Sequence, residues 1–262
     1  MPIIDAHTHI FPDRVAQHAV ESLHDVYGVE PVVLPTADNL LRHMDESGVD
    51  FSVVCPVATK PEQVRSINRW ILQLPRDRLI PCGALHPACD DNEDEIRRLL
   101  DAGISGLKLQ PFFQRYTLDA LATQRLMEQI GDQFLVIMHG GDEIVPQDYV
   151  EPTPQRLAAF IDRHPYLRVS IAHLGGYKFW DDVEEYLVGR NVYFDLSYTF
   201  GKAPEDQVRR IIADHGYERI FFGSDFPWQA QSEALAGLSS LYLGADQETA
   251  ILGGNFERAI AK

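Results

Sequence analysis

Two histidines one residue apart, His7 and His9, close the chain's first apolar run, Ile3-Ile4-Asp5-Ala6-His7-Thr8-His9. Side chains two apart in a strand share a face, so both imidazoles can converge on one cation from a rigid support. Taken alone, the spacing fits two hydrogen-bonded strand histidines equally well. Three further apolar runs break that balance: Phe134 to Met138 ends in His139, Leu167 to Ala172 in His173, and Arg219 to Ser224 in Asp225. Repeated endings in nitrogen or oxygen donors point to metal binding and to the water chemistry that a bound cation supports.

Such donors need elements that bring their ends together. Short apolar runs recur at Ile3 to Ala6, Phe51 to Cys55, Leu79 to Leu85, Ile104 to Leu109, Phe134 to Met138, Leu167 to Ala172, Val192 to Leu196 and Ile220 to Phe222. Between them lie stretches of helical period: Asn39 to Met44, Gln63 to Leu72, Glu93 to Leu100, Leu118 to Ile130, Pro154 to His164, Asp181 to Val188 and Glu205 to Asp214. Thr36 or Asp38, Asp91 or Asn92, Thr117 and Thr153 are suited to cap helix starts. Strands alternating with helices, without tight hairpin signals, imply parallel βαβ units. Eight of them over this length match a single (β/α)8 TIM barrel, with residues 1–262 forming one domain. An open doubly wound sheet is the alternative, but it favours a Gly-rich turn after its first strand, where this chain has His7-Thr8-His9. A barrel gathers its chemistry at the C-terminal strand ends. His7, His9, Lys108, His139, His173 and Asp225 all fall there.

The 262 residues are 45% hydrophobic, enough for a substantial core, and Lys plus Arg total 23 against 39 Asp plus Glu. The resulting formal charge of −16 repels phosphate backbones, which argues against nucleic-acid partners and for a small-molecule substrate. No basic and apolar leader opens the chain, and no apolar stretch approaches the roughly 20 residues of a membrane helix. The expected location is the cytoplasm, away from membranes. Cys55, Cys82 and Cys89 form no C-x-x-C pair and read as ordinary thiols.

Taken together, His7-Thr8-His9, Gly106-Leu107-Lys108-Leu109-Gln110-Pro111, His139-Gly140-Gly141, His173-Leu174-Gly175-Gly176, Gly223-Ser224-Asp225-Phe226-Pro227-Trp228 and Gly254-Asn255-Phe256-Glu257-Arg258 resemble the amidohydrolase superfamily. The resemblance is nearest to the amidohydrolase-related branch that includes aminocarboxymuconate-semialdehyde decarboxylase, and it spans nearly the whole chain. It implies that His7, His9, His139 and Asp225 hold one divalent cation, zinc foremost. A water held by that cation would have its pKa lowered to roughly 7. By the same resemblance Asp225 orients this water and takes its proton as general base. His173 either ligates a second ion or stabilises charge on the attacked carbonyl. Lys108 has four readings: carboxylated and bridging two metals, deprotonated, paired with substrate charge, or turned to solvent.

Asp5 shares the strand parity of His7 and His9, which places it on the barrel floor or behind a ligand. The glycine pairs at 140–141 and 175–176 suit tight turns beside the ligands. Tyr177, Trp228 and Phe112 are the substrate-contact candidates, with Phe113, Trp180 and Tyr198 near them, although aromatic residues also pack loops. His86, His18, His24, His43, His164 and His215 read as structural. The activity implied is hydrolysis of an ester, lactone or amide. The rival is nonoxidative decarboxylation of an aromatic or unsaturated acid, for which Arg115 is the best carboxylate clamp, and the third reading is a binding barrel without catalysis. A homodimer through the outer helices is the expected assembly.

Overall fold

A computed structural model describes residues 1–145 and 152–261. Its strand segments are β1 (Ile4–Thr8), β2 (Phe51–Val54), β3 (Leu79–Pro81), β4 (Gly83–Ala84), β5 (Gly106–Leu109), β6 (Leu135–Met138), β7 (Arg168–Ile171), β8 (Tyr193–Asp195) and β9 (Ile220–Phe221). Every ladder is parallel, running β1-β2-β3 and β4 through β9 in sequence order.

The two ladders form one barrel. β3 and β4 are consecutive pieces of the third strand, interrupted at Cys82, whose N–H still donates to Val54 O at 2.9 Å. At the other seam Ala6 N–H donates to Phe222 O and Asp225 N–H to His7 O, both at 2.9 Å, and Thr8 bridges Phe226 in parallel. Eight strands therefore close, as the alternation of runs predicts. Beyond Cys82, β2 offers Ala84 no partner. The Asn68 carboxamide replaces it: Ala84 N–H donates to Asn68 Oδ1 at 2.8 Å, and Asn68 Nδ2 donates to Ala84 O at 3.0 Å.

The helices are α1 (Asp13–Tyr27), α2 (Ala37–Ser47), α3 (Val64–Ile71), α4 (Asn92–Asp101), α5 (Pro111–Gln114), α6 (Leu121–Ile130), α7 (Pro154–Arg163), α8 (Trp180–Tyr186), α9 (Glu205–His215), α10 (Gln231–Ser240), α11 (Ala245–Thr249) and α12 (Asn255–Ile260). Thr36 and Thr153 cap as expected, accepting from Asn39 N–H and Arg156 N–H, each at 3.3 Å. α1 is absent from the sequence expectation for a physical reason. Of its described side chains only Ala16 and Val20 are buried, so it lacks the broad apolar face of a helix packed on a sheet. None of the helices among the described residues is long and apolar enough to cross a membrane.

Inside the barrel, Ile4, Ala6, Val53, Leu135, Ile137 and Phe221 form one apolar layer, closed at the N-terminal end by Phe256 of α12. Alternate residues such as Leu107, Val136, Ile171 and Phe194 point outward to the helix layer.

β1 breaks this alternation, and the break matters for the site. Asp5 pairs with Ser52, but Thr8 pairs with Val54, so β1 carries one extra residue between them. This bulge lets Ala6 below it and His7 above it both face inward. Asp5, expected to share the inward face of His7 and His9, instead lies outside the barrel wall. It accepts there from Gln231 Nε2 of α10 at 2.8 Å, Ser224 N–H at 2.9 Å and Ser224 Oγ at 2.6 Å. Burial raises its carboxyl to about 6 despite these donors.

Candidate metal centre

At the C-terminal rim, His7 and His9 present their Nε2 atoms 3.2 Å apart, and Asp225 Oδ1 lies 3.6 Å from the first and 3.3 Å from the second. Among the described residues, His7, His9 and Asp225 form a group whose ligand atoms all lie within 4.8 Å of one another. The hydrogen bonds behind the rings fix their tautomers. His7 Nδ1 donates to Asp195 Oδ2 at 2.9 Å and His9 Nδ1 to Cys55 O at 2.7 Å, so both Nε2 atoms carry lone pairs. Two lone pairs and a carboxylate oxygen facing one another repel unless a positive charge lies among them. Lys108 Nζ, buried and 2.9 Å from His7 Nε2, is drawn to this triangle. The donor set fits a divalent cation held by two imidazoles and a carboxylate, with histidine oriented from behind by a carboxylate.

The second pair of histidines forms the adjoining wall. His173 Nδ1 donates to Ser197 O at 3.0 Å, so its Nε2 accepts from His139 Nδ1 at 3.0 Å. His139 Nε2 lies beside Glu143 Oε1 at 3.5 Å and Asp142 O at 3.3 Å. His139 therefore stands one ring away from the three-ligand group, joined to it through His173, whose ring stacks on His7 with centroids 5.5 Å apart.

Backbone geometry aims these groups. His173 and Asp225 have φ of 60° and 68°, in the left-handed region that costs a non-glycine residue on the order of 1 kcal/mol or more. Asp195 holds the first through a bond from His173 N–H to Oδ1 at 3.2 Å. The bond from Asp225 N–H to His7 O holds the second. Burial lowers His7 to about 4, Lys108 adding to it, and holds His139 and His173 below their ordinary range. Burial opposes ionisation of Asp225 and Asp195. The neighbouring His9, His7 and His173 nevertheless bring Asp225 to about 2, and His7 and Ser197 hold Asp195 lower than an ordinary carboxylate.

The sequence model of the amidohydrolase family matches residues 4–259. The chain belongs to the amidohydrolase family. No curated protein is significantly similar to it in sequence. Its fold is similar to that of 5-carboxyvanillate decarboxylase from Sphingomonas paucimobilis, at 18% identity and a TM-score of 0.74 over 99% of this chain and 98% of that one. It is similar as well to a dihydroxybenzoic acid decarboxylase from Polaromonas sp. holding manganese and 2-nitroresorcinol, at 16% identity and 0.74 over 99% and 96%. A probable 2-pyrone-4,6-dicarboxylic acid hydrolase from Acinetobacter baumannii with citric acid bound matches at 20% identity and 0.71 over 99% of both chains.

In this amidohydrolase the triangle of His7, His9 and Asp225 opens into a cavity of about 610 Å3. His139, His173, Lys108, Tyr177 and Trp228 also line it. Phe112 does not: Phe113 takes the wall there, and Phe112 stacks edge-on against it. Trp180 supports the site from behind, its Nε1 donating to His173 O at 3.1 Å. Arg115 is exposed and lies outside the lining. His86 is structural, bonded to Gln114 O and Ala88 N–H. The glycine pairs do more than turn: a Cβ on Gly141 would lie 2.2 Å from Tyr177 N, so the two loops touch backbone to backbone.

Sequence reasoning missed Asp195, Ser197, Gln110 and Glu143. Asp195 carried a readable signal, since it ends β8 as His139 follows β6, but the run Val192 to Leu196 enclosed it among apolar residues. Glu143 carried none. Burial, with Asp225 and Asp142 nearby, raises it to about 7 against the bond it accepts from Gln110 Nε2 at 2.8 Å.

Proposed function

We propose that this single-domain enzyme is a metal-dependent hydrolase of a small cytoplasmic ester, lactone or amide. The observation that carries the reading is the approach of Asp225 Oδ1 to both histidine Nε2 atoms at the deep end of the cavity. His7, His9 and Asp225 would hold the cation, zinc first among candidates, and His139 would complete the set by turning its ring from His173. When bound, the cation supplies Lewis acidity and brings the pKa of a water near 7. Asp225 then holds the water's proton at its carboxylate and delivers it to the leaving group. The Tyr177 hydroxyl orients the carbonyl, and His173, with Nδ1–H fixed on Ser197 O, presents its Nε2 lone pair to the water. Tyr177 stays protonated throughout, burial raising it to about 12. Lys108 stands ready to pair with substrate charge or, if carboxylated, to hold a second ion. The free thiols Cys55, Cys82 and Cys89 suit a reducing compartment.

Nonoxidative decarboxylation is the second reading. Lys108 favours it, as a buried cation at the deep end, and so do the decarboxylases among the similar folds. Against it stand Asp142 and Glu143 in the wall and Arg115 outside it, while Arg14 lines the cavity from α1, away from the donors at the deep end.

Metal analysis of protein purified without added metal, with turnover of a panel of lactones, esters and aryl carboxylates, tests the proposal. Asp225→Ala should lower kcat by roughly 10²–10⁴ while His173→Ala keeps the metal. Unchanged turnover in Asp225→Ala would sink the mechanism, and release of carbon dioxide from the aryl acids alone would transfer it to the second reading.

A further inference from the structure

The cavity is two-sided in chemistry. Its deep end holds the donors described above, but it continues outward between α1 and α3. There Val15, Ala19 and Leu23, spaced four apart along one face of α1, stand opposite Ile67 and Trp70 of α3 in the wall of the same cavity. Val15, Ala19 and Leu23 are half-buried or exposed, Val15 to 39%, and belong to no hydrophobic core cluster, while Ile67 and Trp70 pack against the core on one side and leave their remaining surface to the cavity. The polar groups along the α3 side are turned to one another. Thr59 Oγ1 donates to Gln63 Oε1 at 3.0 Å and Ser66 Oγ to Gln63 O at 2.9 Å, which leaves a guest little to hydrogen-bond there. A metal triangle needs no such space behind it.

We propose that this channel is a subsite for an unbranched alkyl or arylalkyl tail, and that the natural substrate carries its reactive carbonyl at one end of such a tail. The assignment rests on the hydrolase reading only for the bond that is cut. The tail enters between the α1 stripe and the α3 pair, where each methylene leaves water for an apolar wall, while the head meets Asp225 and the histidines. Trp70 lines the channel and Trp228 lies in the same wall, so occupancy reaches the indole emission directly.

The test uses the full chain loaded with zinc and a series of straight-chain hydroxamates from two to ten carbons, with binding read by tryptophan fluorescence. Turnover of γ-lactones, esters and amides with tails of matching length is followed in parallel. Binding should tighten about two- to fourfold per added methylene until the channel is full. Ala19→Trp, which blocks the channel, should abolish the chain-length dependence and leave the affinity of the two-carbon member unchanged. Ile67→Ser, a milder change, should halve the slope or more. A flat dependence in the unmodified protein, or a slope that survives Ala19→Trp, overturns the proposal. Chain-length-dependent binding with no turnover of lactones, or of esters and amides carrying the same tails, would support the subsite while removing the hydrolase reading, so the two fail separately.

Discussion

The deep and outer ends of the cavity are built by opposite means. At the deep end, His7, His173, Asp195 and Ser197 are each tied by hydrogen bonds from more than one strand end, and His173 and Asp225 are held in a costly backbone conformation. At the outer end, apolar side chains on α1 and α3 face one another with no such ties. The barrel's strand ends hold the donor groups, and the helices over it offer a surface whose shape can change without disturbing them. On the proposed subsite, positioning and selectivity are separable in this amidohydrolase.

The sharpest way to break that contrast is Gly141→Ala. Gly141 sits at φ +88°, and a Cβ there would meet the Tyr177 and Gly176 backbone at 2.2–2.6 Å, so neither side can yield. A loss of at least about 3 kcal/mol in chemical unfolding is expected. Next in size is Asp195→Asn, which keeps the shape but removes the charge that orients His7. Metal affinity, followed by competition with a chelator, should fall roughly 10–100-fold with little change in fold. A drop below threefold would mean the strand ends place His7 unaided.

His215 probes the shell outside β8. It stacks on Phe194 with centroids 4.0 Å apart and donates through Nε2 to Val192 O, and burial lowers it to about 4. Its folded pKa lies below the unfolded 6.5, so protonation favours unfolding. The stability it supports is intact above pH 6.5 and is lost as pH falls toward 4. His215→Gln should therefore flatten the decline between pH 7 and 5 by about 2 kcal/mol, read from urea midpoints. The smallest effect belongs to the outer end: Leu23→Ala should change stability by less than about 0.5 kcal/mol. A larger loss there would show that α1 is part of the scaffold after all.

Much of the scaffold was legible because parallel strands buried on both faces read as continuous apolar runs, and a donor just past such a run stands out. His7, His9, His139, His173 and Asp225 were found that way, and all five line one cavity. Asp5 was misplaced because face depends on register, and the extra residue in β1 shows only against its pairing with β2. Phe112 and Phe113 could not be told apart, since both follow β5 and one helical step decides which enters the cavity.

The residue pattern alone determined the eight strands, the helices between them other than α1 and α5, and His7, His9, His139, His173 and Asp225 at the rim, because these follow from local periodicity. The tertiary structure alone decided which donors approach one another, that Asp195 stands behind His7 across 188 positions, and that α1 faces α3 over an apolar channel. Those relations depend on register and ring orientation between distant segments, and neither is encoded in neighbouring residues.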